Sequence, residues 1–169
     1  HPSAVWSDGE QLIVADSEKH RILIWNTFPT EGFQVPDVII GQSNMTNVEP
    51  NDDDQDGTAD GEWEGTTGPH GIPHWIENGD ATARTLSYPR DIEVRDGALY
   101  VADMDNHRVL IWESIPTESF APADLVLGQA SFDRQVANDD DQDGVYEVAP
   151  TARTMNDPYN GVWSNGVQL

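Results

Sequence analysis

Two short acidic segments have the spacing of a calcium-binding loop. Residues 52–57 read Asp-Asp-Asp-Gln-Asp-Gly, and residues 139–144 repeat the same letters. Calcium takes about six to eight oxygen ligands, and alternate Asp residues in a tight loop bring their carboxylates to one ion while Gly permits the turn. The Asp-x-Asp-x-Asp-Gly pattern therefore predicts one Ca²⁺ site in each segment. The alternative is a solvated acidic loop that binds no ion.

Each predicted site combines three carboxylates with a carbonyl and a further acid. The ligands in the first loop are Asp52, Asp54, Asp56, the carbonyl of Thr58, and Asp60; those in the second are Asp139, Asp141, Asp143, the carbonyl of Val145, and Glu147. An EF-hand closes its site with a bidentate Glu at the twelfth loop position. Trp63 and Pro150 occupy that position here. The loops therefore resemble the EF-hand-like or dockerin-like loops inserted in extracellular repeat proteins, with the last ligand from a distant residue or another subunit.

Other polar residues recur in equivalent positions and favour a structural role. Asp16 with Arg21, and Asp103 with Arg108, are spaced to pair across a strand turn. Because each pair occurs once in each copy of a repeat, we interpret it as a turn or inter-repeat contact and not as a catalytic or metal site. His20 and His107, which precede the two Arg residues, also recur in equivalent positions, and we interpret them as structural for the same reason.

Three further residues are weaker candidates. Asn44 begins an Asn-Met-Thr sequon, which predicts possible N-glycosylation on a surface loop. His70 and His74 have a spacing that serves zinc on a helix, but neighbouring Pro and Gly residues oppose a helix there. We interpret their segment as a covering loop.

The composition describes a folded and very acidic chain. Its 169 residues carry 31 acidic against 8 basic side chains, for a net charge of -23, while hydrophobic residues make up 37% and include six Trp. Such a charge repels nucleic acid and anionic lipid, and favours cations or basic surfaces as partners. No apolar run approaches the ~20 residues that a membrane span needs. There is no Cys, so a disulfide scaffold is excluded.

The acidic loops belong to a longer repeat. Leu-Ile-Val-Ala-Asp at 12–16 matches Leu-Tyr-Val-Ala-Asp at 99–103, and the offset of 87 also aligns His-Arg-Ile-Leu-Ile-Trp at 20–25 with 107–112. We divide the chain into a first repeat at 1–87, with its acidic loop at 51–64 and an unrepeated insertion at 66–80, and a second repeat at 88–157, with its loop at 138–147. Residues 158–169 match the start of a third repeat.

Each repeat contains short apolar runs separated by turn residues, which predicts strands. The predicted strands are 3–6, 12–15, 21–25 and 37–40 in the first repeat, and 91–94, 99–102, 108–112 and 124–127 in the second. Four short antiparallel strands in each repeat are typical of a β-propeller blade. The fold class predicted is all-β.

The pattern of Pro, strand, Asp-Gly, Leu-Tyr-Val-Ala-Asp and Asn-His-Arg-Val at 89–112 resembles the NHL repeat family. That resemblance covers about half the chain and implies propeller blades, which two repeats and one strand cannot close. Either the chain is a segment of a larger propeller, or copies associate so that the last strand of one completes a blade of the next, or blades stack in an open array. Unpaired edges favour a homo-oligomer or polymer, as a ring or a filament.

These observations lead to three hypotheses of function. The first is a non-enzymatic extracellular or cell-surface protein, in which Ca²⁺ stiffens the loops and the repeats assemble into a structural array. The second is a propeller module that binds a glycan, peptide or protein. The third, a propeller lyase or hydrolase, is disfavoured because its site would need side chains from several blades, whereas these carboxylates are consecutive.

Overall fold

The computed structural model describes residues 1–57, 81–141, 143–149 and 151–158. These residues form two four-stranded antiparallel sheets, one from each predicted repeat. Strand order follows chain order in both sheets, so neighbouring strands are joined by direct connections. The all-β class predicted from the short apolar runs is confirmed.

The first sheet comprises β1 (Pro2–Ser7), β2 (Leu12–Asp16), β3 (Arg21–Trp25) and β4 (Val38–Ile40). The second comprises β5 (Pro89–Arg95), β6 (Ala98–Asp103), β7 (Arg108–Trp112) and β8 (Leu125–Leu127). A single 3₁₀ turn joins the second and third strands of each sheet, at Ser17–Lys19 and Met104–Asn106. The two turns have different sequences but the same geometry, because His20 and His107 end them with φ of 51° and 52°.

The last strand of each sheet is one residue shorter than predicted. Asp37 and Asp124 were expected to begin these strands, but each uses its side chain to accept a bond from the backbone N–H that follows the preceding strand, at 2.8 Å in both sheets. Short polar side chains commonly bond nearby backbone in this way and end a ladder.

Each sheet has two distinct faces because side chains alternate along a strand. The front face of the first sheet carries Val5, Val14, Leu23 and Ile39, which are cross-strand partners, and the front face of the second carries their counterparts Ile92, Val101, Leu110 and Val126. The rear face of the first sheet carries Trp6, Ile13, Ala15, Ile22, Ile24, Val38 and Ile40; that of the second carries Tyr100, Ala102, Val109, Ile111, Leu125 and Leu127.

The core lies between the rear face of the first sheet and the front face of the second. Residues from both faces belong to one buried apolar cluster. This stacking buries the rear-face residues of β3, which alternate with half-buried front-face residues, and it buries the front-face residues of β7. One face of the first sheet is left without a neighbouring sheet among the described residues.

Polar contacts reinforce the junction between the repeats. The carbonyl of Pro89, which opens the second sheet, accepts the hydroxyls of Ser3 and Ser17 at 3.2 and 2.5 Å. The backbone N–H of Tyr88 donates to Nδ1 of His20 at 3.0 Å. The first turn of one repeat is thereby tied to the entry of the next.

Several predictions fall outside the described residues. They concern the insertion at 66–80 with His70 and His74, and the third-repeat start, of which only Pro158 is described. Within the described part of the chain, no helix is long and apolar enough to cross a membrane.

Candidate metal centres

The predicted alternate carboxylates of the first loop converge in the structure. One carboxylate oxygen from each of Asp52, Asp54 and Asp56 lies within 4.8 Å of the others. Asp52 is fully buried, whereas Asp54 and Asp56 face solvent. In this cluster Asp52 is held inside the protein, whereas Asp54 and Asp56 are accessible to solvent.

Hydrogen bonds from the loop backbone and from neighbouring amides hold this cluster in place. The N–H of Gly57 donates to Asp52 Oδ2 at 3.0 Å, and the N–H of Asp56 donates to Asp54 Oδ1 at 3.0 Å. Gly57 has a φ of 85°, a region that Gly enters without strain. Asn47 braces the turn by donating to Asp52 Oδ2 and to the carbonyl of Gln55.

The second loop forms the same arrangement. Carboxylate oxygens of Asp139, Asp141 and Asp143 also lie within 4.8 Å of one another, and Asp139 is the buried member. The N–H of Gly144 donates to Asp139 Oδ2 at 3.0 Å, as Gly57 does to Asp52 in the first loop. Two copies with one geometry show that the local sequence specifies this turn.

The donor set fits a hard divalent cation. Two oxygens bound to one Ca²⁺ at about 2.3–2.6 Å can be at most about 5.2 Å apart, and the observed oxygens satisfy this limit. Each carboxylate oxygen has two lone pairs, so an oxygen that accepts one N–H can still bind an ion. Both clusters could therefore hold a metal ion.

The remaining predicted ligands are only partly placed. The Glu147 carboxylate accepts the backbone N–H of Asp140 at 2.8 Å, so Glu147 contacts the beginning of the second loop. The N–H of Val145 donates to Asp143 Oδ1 at 2.8 Å, which keeps its peptide next to the cluster. Thr58, Asp60, Trp63 and Pro150 lie outside the described residues.

Each acidic loop is fastened at its first residue to the segment that leads into the next repeat. Asn51 donates its backbone N–H to the carbonyl of Leu86 at 3.2 Å, and Asn138 donates to that of Met155 at 3.1 Å. The side chain of Asn51 also exchanges two hydrogen bonds with that of Asn106, at 2.8 and 3.0 Å. Asn106 lies in the 3₁₀ turn of the second repeat, so the first loop is rooted in the inter-repeat junction.

The structure joins both predicted Asp–Arg pairs. Arg21 Nε donates to Asp16 at 3.0 Å, and Arg108 Nε donates to Asp103 at 2.8 Å, in a pair that is fully buried. Burial raises the pKa of Asp103, and the guanidinium of Arg108 acts against that rise. Arg108 also donates to the carbonyls of Thr82 and Thr85, so it binds the connecting segment to the sheet.

The two repeated His residues act as hydrogen-bond acceptors. His20 Nδ1 accepts the N–H of Tyr88, and His107 Nδ1 accepts the N–H of Asp157 at 3.1 Å. Only an unprotonated Nδ1 can accept. Burial, reinforced by Lys19, lowers the pKa of His20 to about 4, and burial also lowers that of His107. The imidazole of His20 is therefore neutral at neutral pH.

The predicted glycosylation residue, Asn44, is exposed at the start of a tight turn. Its Oδ1 accepts the N–H and the hydroxyl of Thr46, at 2.8 and 2.7 Å, and the N–H of Asn47. The position suits a surface modification, which stays a prediction.

One repeated element was missed in the sequence. The tetrapeptide Thr-Ala-Arg-Thr occurs at 82–85 and again at 151–154. In the structure its last Thr pairs in parallel with Gly41 in the first repeat and with Gly128 in the second. The signal was available, but it recurs at an offset of 69 and not 87 because the first repeat carries the insertion.

Comparison of the chain with protein-family models, with curated proteins and with solved structures gives no match. The resemblance to NHL repeats therefore rests on the residues quoted above and stays a prediction. The function proposed below is therefore argued from the two acidic loops and from the contacts between the first loop and the second repeat.

Proposed function

We propose that the chain is a non-enzymatic, extracellular calcium-binding repeat protein with a structural and self-associating role. In this proposal each four-stranded sheet is a propeller-type blade of the NHL kind, and Ca²⁺ binds in the acidic loop of each repeat. Two antiparallel four-stranded sheets stacked face to face support the blade interpretation.

The observation that carries the proposal is the position of the first loop. Asn51 is fixed between Leu86 and Asn106, and the next residue, Asp52, supplies the buried carboxylate of the cluster. A cation bound to Asp52 therefore orders the same segment that ties the first repeat to the second. Cation binding is thereby linked to the rigidity of the repeat junction.

Electrostatics favours occupancy of the clusters. Two unit charges 4.8 Å apart repel by about 1 kcal/mol in water and by about 3 kcal/mol at an effective dielectric constant of about 20. Three such pairs occur in each loop, on a chain whose net charge is already -23. A bound divalent cation turns this repulsion into attraction.

The chemistry of the sites suits an extracellular setting. Loops with few protein ligands bind Ca²⁺ weakly, with dissociation constants of about 10⁻⁴ to 10⁻³ M in extracellular modules. Among the described residues three carboxylates converge in each loop, and neither loop has the bidentate Glu that closes an EF-hand site. An affinity in that range would keep the sites filled only where Ca²⁺ is abundant.

Thermal unfolding with and without Ca²⁺ tests the proposal. We expect Ca²⁺ to raise Tm relative to a chelator, because a ligand at about 100 times its dissociation constant stabilises the folded state by about 2.7 kcal/mol per site. Asp54→Asn should reduce the Ca²⁺-dependent shift, since it removes one charge from the exposed side of the cluster.

Asp53→Asn is the matched control, because Asp53 lies in the same loop but outside the converging group. Its Ca²⁺-dependent shift should equal that of the wild type. A wild-type Tm that is the same in Ca²⁺ and in chelator would refute the proposal, as would equal losses in the two variants.

A further inference from the structure

The two repeated His residues have equivalent backbone positions and different chemical surroundings. Each ends the 3₁₀ turn of its repeat in the left-handed region. Nδ1 of His20 accepts the backbone N–H of Tyr88 at 3.0 Å, and Nδ1 of His107 accepts that of Asp157 at 3.1 Å. Each contact binds the segment that follows an acidic loop to the turn between the second and third strands of a sheet.

The residues that donate these N–H groups belong to matching segments. Residues 82–89 read Thr-Ala-Arg-Thr-Leu-Ser-Tyr-Pro, and residues 151–158 read Thr-Ala-Arg-Thr-Met-Asn-Asp-Pro. Tyr88 and Asp157 therefore correspond at the offset of 69, and both have a positive φ, of 54° and 43°. Because the backbone is alike in the two segments, the difference between the contacts lies in the side chains.

Asp157 brings a carboxylate to the same nitrogen that accepts its N–H. Its Oδ1 lies 3.0 Å from Nδ1 of His107, which is within hydrogen-bonding distance. The two contacts need opposite protonation states of one atom, since an unprotonated Nδ1 accepts the N–H and a protonated Nδ1 donates to the carboxylate. Only one of the two contacts is therefore a hydrogen bond at any moment.

The first repeat has no corresponding carboxylate at this position. Tyr88 contributes a ring, whose centre lies 6.2 Å from that of the His20 ring. A proton on Nδ1 of His20 would face the N–H of Tyr88, so two donors would oppose each other and the hydrogen bond would be lost. Asp16, a carboxylate that acts on His20, is already paired with Arg21 at 3.0 Å.

The residues next to the two imidazoles also favour protonation of His107 over that of His20. Burial, reinforced by Lys19, lowers the pKa of His20 to about 4. The counterpart of Lys19 before His107 is Asn106, which carries no charge. Burial lowers the pKa of His107 as well, but the carboxylate of Asp157 acts against that decrease.

The other charged groups around the second imidazole come from several elements. Asp103 at the end of β6 also favours the charged imidazole, and it is paired with Arg108 of β7. Asp105 lies in the 3₁₀ turn itself, where Arg90 of β5 acts on its carboxyl group. Asp157 is the charged group that lies in contact with the imidazole nitrogen.

We propose that His107 and Asp157 form an acid-responsive contact in which one imidazole nitrogen exchanges its partner. At neutral pH Nδ1 accepts the N–H of Asp157, and on acidification it takes up a proton and donates to the carboxylate of the same residue. The segment 151–158 thus stays bound to the turn in both states. The contact between His20 and Tyr88 has no second state and is lost when His20 is protonated.

Acid should therefore act on the two repeats in a fixed order. The exchange at His107 comes first and preserves the attachment of the segment 151–158. The loss at His20 follows at lower pH and removes a hydrogen bond between the first turn and the entry of the second sheet. Acidification would thereby weaken the chain at one defined place, the junction between the two sheets.

Long-range proton–nitrogen NMR spectra of the full chain test the proposal, because ring nitrogens report their own protonation. In a titration from about pH 8 to about pH 3.5, His107 should take up its proton at higher pH than His20. Asp157→Asn keeps the backbone N–H and removes the charge, so it should lower the midpoint of His107 and leave that of His20 unchanged. All titrations are made in chelator, so the outcome is independent of cation binding to the acidic loops.

The first repeat supplies the converse variant. Tyr88→Asp gives His20 the carboxylate that His107 has, and it should raise the midpoint of His20 alone. Asp96→Asn is the charge-matched control, because Asp96 lies in the exposed turn between β5 and β6, at the other end of the sheet from the 3₁₀ turn. It should leave both midpoints unchanged.

Two results would overturn the proposed exchange. One is a wild type in which His107 is protonated at the same pH as His20 or at lower pH. The other is an Asp157→Asn variant in which the midpoint of His107 stays where it is in the wild type, because the carboxylate would then play no part in the protonation.

Discussion

The Asp–Arg pairs show how one residue motif serves different environments in the two repeats. Asp103 and Arg108 are fully buried, whereas Asp16 and Arg21 retain some contact with solvent. An ion that loses its partner in the interior leaves the other charge uncompensated. The same substitution should therefore have unequal effects in the two repeats.

Arg108→Met should lower the free energy of unfolding by about 3–5 kcal/mol, whereas Arg21→Met should lower it by about 1–2 kcal/mol. Urea denaturation of both variants measures the difference. Equal losses would contradict the conclusion that burial makes the Asp103–Arg108 pair more important for stability than the Asp16–Arg21 pair.

His20 should make stability depend on pH. Its pKa is about 4 in the folded chain and about 6.5 when unfolded. As pH falls through this window the unfolded state binds the proton first, so the stabilisation present above about pH 6.5 is lost by about pH 4, at up to about 1.4 kcal/mol per pH unit. Burial raises the pKa of Asp105 to about 6 and acts with the opposite sign.

His20→Asn isolates this contribution, because an Asn oxygen can accept the N–H of Tyr88, tolerates a positive φ and does not titrate. Between about pH 7.5 and about pH 4.5 the wild type should lose roughly 2 kcal/mol more stability than the variant. Denaturation at the two pH values, in chelator, provides the measurement. Parallel losses would show that His20 does not act as the neutral acceptor.

At the scale of single elements, the turn after β4 depends on Gly41. Its φ is 90°, and a Cβ there would lie 2.5 Å from the carbonyl oxygen of His20 and 2.8 Å from the side chain of Leu86. Gly97 has a similar φ of 86° but open space around it. Comparing a substitution at Gly41 with the same substitution at Gly97 therefore separates the effect of backbone strain from that of steric conflict.

Gly41→Ala should therefore destabilise the chain by about 1–3 kcal/mol more than Gly97→Ala, since both introduce strain but only the first overpacks the junction. Thermal unfolding of the two variants tests this. If Gly97→Ala lowers Tm as much as Gly41→Ala does, the close contacts at Gly41 do not contribute to stability.

Local sequence patterns predicted the elements well and their assembly poorly. Alternating Val, Ile and Leu residues located all eight strands, and the Asp spacing located both carboxylate clusters, because these features depend on residues close in the chain. The pairing of Asn51 with Asn106 spans 55 residues, so no local pattern reveals it. The nitrogen by which His20 accepts a bond is likewise set by the fold.

At the scale of the whole molecule, the two repeats act as internal controls for each other. Part of the central junction recurs in the second repeat, where Thr154 pairs with Gly128 as Thr85 pairs with Gly41. The net charge of -23 opposes self-association of the chain. Cations bound in the loops would lower that repulsion, which links the proposed calcium sites to assembly.

Isothermal titration of the full chain with Ca²⁺ tests this account most directly. The wild type should bind two ions per chain, Asp54→Asn and Asp141→Asn should each bind one of the two ions more weakly, and the double variant should bind both more weakly, because each substitution removes a charge from one of the two carboxylate clusters. Asp53→Asn should still bind two. A wild type that shows no saturable binding, or a double variant that binds as the wild type does, would contradict the account.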